Sequence, residues 1–308
     1  MKSAILACSV NDSISSRLAQ LFQADNIEHI QLFINNSATE STPLVSSSNQ
    51  LNINKNDLAD LSSILPDRFQ AENSDTVVYD FLLPPSNCLA VNVDQDIQVD
   101  PLKTYGLQIE LLKQASKIGS TKFIRCSCIS ESHLENHLKS DWNNTKFNQY
   151  DTMETVYRLA SRDMSLLISY LDKIDYIHTR CATILDIDSD SENSESVVSA
   201  ISILRKNRKI NSLDNDLPID IISAECAAKS YFLLGETGEN KKNYYIGSGK
   251  FLVPSSVFSP STGSSITDPL VASISDIASP SLTEDIISTQ ELLDAISFVP
   301  APLTTSEI

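Results

Sequence analysis

The chain is 308 residues long and acidic, with a formal net charge of −17. This length is enough to bury a sizeable core, in one large α/β domain or two smaller ones. Nucleic acids and anionic membranes are excluded as expected partners, because proteins bind them through basic surfaces. No run approaches the roughly 18 apolar residues of a membrane span, and the composition is typical of a cytoplasmic protein.

Six cysteines are scattered along the chain without C-x-x-C spacing, and several lie inside apolar runs. Buried, reduced thiols are therefore expected, and neither disulfides nor a metal site is predicted. Cys126 and Cys128 are two residues apart and point to one face of a strand, but no second ligand pair accompanies them. The pair His133 and His137 lacks the H-E-x-x-H order of zinc helices.

The first third of the chain alternates strand-like and helix-like segments. Ser3 to Val10 and Ile27 to Ile34 are β-rich, and Ser13 to Gln23 repeats its apolar residues with helical spacing. Residues 35 to 56 are rich in Ser, Asn and Thr, which predicts a surface loop. Leu58 to Leu65 predicts a short helix.

The middle of the chain continues the alternation. Strands are predicted at Asp75 to Leu82, Thr121 to Ile129 and Ile174 to Leu185, with a helix at Pro101 to Lys117. A second helix lies between the last two strands, and its recurring apolar residues predict one apolar face, which belongs either to the core or to a dimer interface: Val156, Leu159, Ala160, Met164, Leu167, Tyr170 and Leu171. We therefore predict a Rossmann-type, doubly wound parallel sheet of the α/β class.

The last third is less regular. Ser196 to Arg208 and Thr289 to Ile296 predict helices, Pro218 to Ile222 predicts a strand, and Pro254 to Pro280 predicts little regular structure. The predicted division is a Rossmann-like domain, residues 1–185 with 219–249, and a small, reduced C-terminal lobe, residues 186–218 with 250–308.

Four segments, spread over most of the chain, follow the motif order of one known family. They are KIGSTKFI at 117–124, YIHTR at 176–180, CAAKSYFLLGE at 226–236 and NYYIGSG at 243–249. They resemble the extended short-chain dehydrogenase/reductases, the NAD-dependent epimerase/dehydratase family. The resemblance implies a Rossmann-type fold, NAD or NADP as cofactor, nucleotide-sugar substrates, and dimers formed through the helices near 101–117 and 154–171.

The cofactor-binding positions depart from the family's pattern. Its glycine-rich turn, which cradles the pyrophosphate, corresponds here to Cys8, Asn11 and Ser15 in a stretch without glycine, and the first glycine of the chain is Gly106. Bulky residues, FLLPP at 81–85, replace the small ones that end the family's later strand. We therefore expect that neither NAD nor NADP binds.

The catalytic positions depart as well. The family uses a tyrosine, a lysine four residues later, and a serine or threonine on the preceding strand. The preferred register puts Glu154, Arg158 and Cys128 at these positions, and registers that start at Tyr150 or Tyr157 also lack the lysine. Glu154 and Arg158 are expected to form an ordinary surface ion pair, worth about 0.3–0.5 kcal/mol.

These departures predict a non-catalytic epimerase/dehydratase-like protein, a pseudoenzyme. It would act as an interaction or regulatory module linked to nucleotide-sugar metabolism, as a homodimer or as a heterodimer with a related active enzyme. The alternative is an active nucleotide-sugar oxidoreductase or epimerase that uses NAD or NADP and a site rebuilt with Cys128, Glu154, Tyr150 or Tyr157. A third hypothesis is a nucleotide or sugar binder without turnover, in which Arg180 contacts an anion.

Overall fold

The fold is described from a computed structural model of the chain. It describes residues 1–8, 13–35, 45–47, 49–54, 57–66, 69, 75–82, 88–89, 101–129, 131–132, 134–135, 153–185, 219–252, 289–298 and 300. Several predictions fall outside these residues, namely the helix at Ser196 to Arg208, the irregular region Pro254 to Pro280, and Asn11, His133, His137 and Tyr150.

A large, mainly parallel sheet forms the centre of the molecule. Its strand order is β11-β8-β7-β5-β1-β2-β4-β3, and only the edge strand β3 runs antiparallel to its neighbour. The strands are β1 (Ser3–Cys8), β2 (Glu28–Asn35), β3 (Val45–Ser47), β4 (Gln50–Asn54), β5 (Thr76–Phe81), β7 (Lys122–Cys128), β8 (Asp175–Cys181) and β11 (Asn243–Ile246). This architecture confirms the predicted Rossmann-type parallel sheet.

A smaller sheet has the order β12-β10-β9-β6. Its strands are β6 (Cys88–Leu89), β9 (Thr183–Leu185), β10 (Ile219–Ser223) and β12 (Phe251–Leu252). β9 pairs in parallel with β6 and β10, whereas β12 is antiparallel to β10. β9 follows β8 after a single residue, so the chain passes directly from the large sheet to the small one.

Helices cover both faces of the large sheet. They are α1 (Ser13–Ala24), α2 (Leu61–Ile64), α3 (Pro101–Lys117), α4 (Met153–Asp172), α5 (Ala224–Thr237) and α6 (Gln290–Ile296), with a short 3-10 turn at Asp57–Asp60 before α2. The apolar side chains of α1, α5 and α6 share one buried cluster with the sheet, and those of α2 and α3 share another. α4 packs beside α3 on this second face. None of the described helices is long and apolar enough to cross a membrane.

The predicted loop at residues 35 to 56 is wrong in part, because it contains β3 and β4. β4 adds to the sheet beside β2, and its side chains Leu51 and Ile53 are buried. The segment QLNIN alternates apolar and polar residues with the period of a strand. That alternation is short and is surrounded by Ser, Asn and Thr, which favoured a loop.

The apolar face predicted for α4 points mostly outward, away from the sheet. Val156, Met164, Leu167 and Tyr170 are exposed, and so is Leu171. Apart from Leu159, the buried residues of this helix are polar: Thr155, Arg158, Ser161, Ser165 and Ser169. The reason lies in the part of the sheet beneath α4, which is itself polar.

Candidate functional site

Three polar residues lie side by side in the middle of the large sheet. Asp80 on β5 pairs with Arg125 on β7, and Arg125 pairs with His178 on β8. All three are buried. Paired residues of neighbouring strands point to the same side of a sheet, and here that side is covered by α3 and α4. A row of ionisable groups therefore crosses the interior beneath these helices.

Gln108 of α3 connects this row to the helices. Its Nε2 donates to Asp80 Oδ2 at 2.9 Å, and its Oε1 accepts from Arg125 Nη2 at 3.1 Å and from Ser161 Oγ of α4 at 3.2 Å. Arg125 Nη2 also donates to the Arg158 carbonyl at 3.2 Å. Burial raises the pKa of Asp80 to about 6, against the opposing effect of the Arg125 charge.

Glu131 lies at the carboxyl end of β7 and binds three neighbours. Its Oε2 accepts from His178 Nε2 at 2.6 Å, its Oε1 accepts from the Ser127 hydroxyl, and Arg180 Nε lies 3.6 Å from Oε2. Burial raises the pKa of Glu131, but His178, Arg125 and Arg180 outweigh it and hold the pKa well below its usual range. Burial lowers the pKa of His178 to about 4. At neutral pH the site therefore holds a carboxylate and a neutral imidazole.

A second carboxylate closes the same edge of the sheet. Glu135 accepts from Arg180 Nη2 and from Arg162 Nη1 of α4, each at 2.5 Å, and Arg180 Nη1 donates to Ser132 Oγ at 3.0 Å. Burial raises the pKa of Glu135, but the two arginines outweigh it and lower the pKa overall. Arg180, the expected anion contact, is thus paired with carboxylates of its own chain.

The Ser127, Glu131 and His178 arrangement does not activate a nucleophile. In a catalytic triad the imidazole accepts the serine proton, whereas here the Ser127 hydroxyl donates to the carboxylate. All three side chains are also buried at 1% exposure or less, so a substrate cannot reach them. The arrangement holds β7, β8 and the segment at 131–135 together.

The residues predicted at the catalytic positions are not brought together. Cys128 is buried, and alternation along β7 places it on the opposite side of the sheet from Ser127. Arg158 is 2% exposed, so it is buried and not at the surface as expected, and its ion pair with Glu154 stays a prediction. Glu154 belongs to α4, but its side chain lies outside the described residues, and Tyr157 is half-buried.

Only part of the expected pyrophosphate position belongs to the described residues. Cys8 and Ser15 are buried, and the Ser15 carbonyl accepts from Gln31 Nε2 at 3.5 Å. Phe81, where the resemblance implies a small residue, is buried and packs edge-on against Tyr231 with ring centroids 5.0 Å apart. The expectation that no dinucleotide binds stays a prediction from the sequence, because residues 9–12 of the turn lie outside the described residues.

Metal ligands are not grouped in this site. Among the described residues, no cluster of three or more His, Cys, Asp or Glu side chains is arranged to hold a metal ion.

Comparisons with known proteins agree with the fold. No protein-family model matches the sequence, and no curated protein matches it either. Solved structures do match. The UDP-glucose 4-epimerase of Thermotoga maritima, determined with UDP-glucose, is 14% identical, with a TM-score of 0.58 over 99% of this chain and 95% of its own.

Two further solved structures match the same fold. The dTDP-glucose 4,6-dehydratase of Bacillus anthracis, determined with NAD, is 10% identical, with a TM-score of 0.59 over 97% of this chain and 92% of its own. The UDP-N-acetylglucosamine 4-epimerase of Methanobrevibacter ruminantium is 17% identical, with a TM-score of 0.57 over 97% of this chain and 93% of its own. The chain has the NAD-dependent epimerase/dehydratase fold.

Sequence analysis missed the residues that build the polar interior of this epimerase/dehydratase fold. Asp80, Arg125 and His178 each stand among apolar neighbours, in TVVYDF, KFIRCSC and DYIHTRC. A charged or ionisable residue inside a buried strand is unusual and needs a partner. That signal was available in the sequence, but the partners Gln108 and Glu131 could be found only from the tertiary structure.

Proposed function

We propose that this chain uses the epimerase/dehydratase fold as an interaction module linked to nucleotide-sugar metabolism, without hydride transfer. It pairs through the outer face of α4 with a second copy or with a related active enzyme. The observation that carries the proposal is the exposure of apolar residues on this helix: Leu167 is 62% exposed, Tyr170 69% and Leu171 74%.

The exposed apolar residues of α4 form one continuous stripe along the helix. Val156, Met164, Leu167 and Leu171 lie on one side of α4, because their separations are close to whole helical turns. A helix that packs on a sheet normally turns its apolar stripe inward, whereas α4 turns its polar side inward. Exposed apolar patches of this kind mark interaction surfaces. A twofold pairing would bring the stripe against itself and bury it on both copies.

The catalytic positions support the non-catalytic part of the proposal. The two tyrosines of α4, Tyr157 and Tyr170, are followed four residues later by Ser161 and Ile174 instead of lysine. Arg158, at the expected lysine position, is buried against the polar interior and its carbonyl is bound by Arg125. Neither tyrosine of α4 therefore has the lysine that the family's pattern places one helical turn later.

The pairing is tested with a double variant, Leu167→Asp with Leu171→Asp. Both side chains are exposed, so the variant is expected to fold, with an unchanged circular dichroism spectrum, and to sediment as a monomer while the wild type sediments as a dimer. Leu293→Asp on α6 is the matched control, because Leu293 is also exposed, at 42%, and lies on another helix. A wild type that stays monomeric at all concentrations excludes the homodimer.

The lack of hydride transfer is tested by calorimetry with millimolar NAD(H) and NADP(H). No binding is expected, because the turn after β1 has no glycine and Cys8, Ser15 and Phe81 are buried side chains at the expected cofactor position. Micromolar binding of either cofactor would overturn the proposal and favour the active enzyme with a rebuilt site.

The setting we propose is the cytoplasm. Cys8, Cys126, Cys128 and Cys181 are buried and form no disulfide, which fits a reducing compartment.

A further inference from the structure

Buried polar atoms without a hydrogen-bond partner are concentrated in one layer of the molecule. Apart from the Ser120 hydroxyl, all such side-chain atoms of the described residues lie on β7, β8 and α4. They are Arg125 Nε and Nη1, Ser165 Oγ, Tyr176 Oη, His178 Nδ1 and Arg180 Nε. The layer lies between the large sheet and α4.

Three of these residues are direct neighbours. Arg125 and His178 are paired across β7 and β8. Tyr176 is two residues before His178 and so points to the same side of the sheet. Burial raises the pKa of Tyr176 to about 12 and the Arg125 charge opposes this, which shows that the two side chains adjoin. Ser165 belongs to the inward side of α4 and is 1% exposed.

Their burial is unfavourable if the layer is dry. Arg125 is completely buried, yet its Nε and Nη1 lack partners and none of the described carboxylates forms an ion pair with it. A buried polar group without a partner is strongly destabilising, and a charged group more so. Native proteins satisfy such groups with ordered internal water.

We propose that ordered water molecules occupy this layer, bound between Arg125, Tyr176 and His178. Arg125 only donates, through Nε–H and Nη1–H. The neutral His178 donates a hydrogen bond from its Nε2–H to the Glu131 carboxylate, so its Nδ1 only accepts. The Tyr176 hydroxyl does either.

Water satisfies all three groups at once, because each molecule can accept two hydrogen bonds and donate two. An anion fits less well. It would face the lone pair of His178 Nδ1, and the carboxylates of Asp80 and Glu131 lie on neighbouring parts of the same layer.

This internal water also explains the inverted polarity of α4. Thr155, Ser161, Ser165 and Ser169 are small, polar and buried on the inward side of α4. Such side chains leave room for water and offer it hydroxyl groups, whereas leucines would exclude it. The proposal concerns the interior and does not depend on whether the outer face of α4 binds a partner.

The direction in which Tyr176→Phe changes the Tm tests for this internal water. Tyr176→Phe removes the hydroxyl and leaves the ring stacked on Phe123, whose centroid lies 6.2 Å away. If water binds the hydroxyl, the variant loses hydrogen bonds and its Tm falls by about 2 °C. If the layer is dry, the variant loses only a hydroxyl that adjoins Arg125 without a well-formed hydrogen bond, and its Tm does not fall, which would overturn the proposal.

Two other Tyr→Phe substitutions serve as matched controls. The Tyr245 hydroxyl is buried and donates to Asp220 at 2.8 Å, so Tyr245→Phe shows the effect of removing a satisfied hydroxyl. Tyr170 is 69% exposed, so Tyr170→Phe shows the effect of the substitution at the surface. Tyr176→Phe is expected to resemble the first and to differ from the second.

A crystal structure of the wild type at high resolution is an independent test. It is expected to contain water within hydrogen-bond distance of Arg125 Nε and His178 Nδ1. A layer without density between these atoms, or an anomalous peak there in crystals grown with bromide, would contradict the proposal even if Tyr176→Phe did not fold.

Discussion

Helices α4 and α5 cover opposite faces of the same sheet, and they contact it with opposite chemistry. α5 buries Ala227, Tyr231 and Leu234 in an apolar cluster with the sheet, whereas α4 buries Arg158 and serines over a row of ionisable groups. The spacing of apolar residues predicts both helices. It does not say which side of a helix faces the core, because that depends on the strands beneath it.

The largest effect is expected from removing Glu131 from the buried polar contacts between the sheet and α4. Glu131→Leu leaves His178, Ser127 and Arg180 without their shared acceptor, and we expect the free energy of unfolding to fall by about 3–5 kcal/mol in urea titrations. The control Glu225→Leu, at an exposed position of α5, should change it by less than about 0.5 kcal/mol. Equal effects of the two would mean that the buried carboxylate contributes nothing to stability.

The apolar packing between α5 and the sheet can be disrupted by adding one methyl group. A Cβ on Gly235 of α5 would lie 1.9 Å from Tyr79 Oη, whereas a Cβ on Gly106 of α3 has no atom within 4 Å. We expect Gly235→Ala to destabilise the protein by about 1–3 kcal/mol. Gly106→Ala should instead stabilise it by up to about 1 kcal/mol. Thermal unfolding of both variants checks this, and tolerance of alanine at 235 would contradict the tight packing.

The polar face should also respond to pH, because its two titrating groups act in opposite directions. The pKa of Asp80 is raised from 3.8 to about 6, so its contribution to stability is present at low pH and is lost as pH rises through 6. The pKa of His178 is lowered from 6.5 to about 4, so its contribution is present above 6.5 and is lost as pH falls through 4.

In the wild type these two contributions nearly cancel between pH 5 and 6.5. In Asp80→Asn only His178 remains, and the free energy of unfolding should rise by about 1–2 kcal/mol over this range. In His178→Gln it should fall by about 1 kcal/mol over the same range. Urea titrations at four pH values measure both slopes, and parallel curves for the two variants would contradict this assignment.

The smallest effect concerns how α5 is fixed at its carboxyl end. Lys122 Nζ donates to the carbonyls of Leu234 at 3.4 Å, Gly235 at 3.1 Å and Gly238 at 3.0 Å. Burial lowers the pKa of Lys122, against the charges of nearby carboxylates. We expect Lys122→Met to cost about 1 kcal/mol of stability. Lys117→Met, at an exposed helix end, should have less than half that effect by thermal unfolding.

The sequence allowed most of the large sheet to be predicted. β1, β2, β5, β7 and β8 lie in continuous β-rich runs, and the predicted bounds of α3 match the structure. β4 was missed because its alternation covers only QLNIN, and the same pattern occurs in surface loops. The orientation of α4 could not be predicted because Asp80, Arg125 and His178 come from three separate strands, and only their pairing in the sheet makes the surface beneath α4 polar.

The candidate site was less predictable than the fold, for the same reason. Arg158 was identified from its position in a motif, but its burial follows from contacts between α4 and the sheet. Glu131 and Glu135 belong to a short segment after β7 whose partners, His178 and Arg180, are more than 40 residues away in sequence. Such contacts leave no local pattern.

The buried thiols make the opening of the apolar side of the sheet measurable over time. Cys8, Cys126 and Cys181 belong to the apolar cluster beneath α5, and a thiol reacts with an alkylating reagent only when the structure around it opens. Cys226 is half-buried and provides a fast internal reference in the same sample. Mass spectrometry of alkylated peptides would therefore record how often the apolar face opens. The same experiment on Tyr176→Phe would show whether a substitution on the polar side of the sheet changes the alkylation rate of thiols on the apolar side.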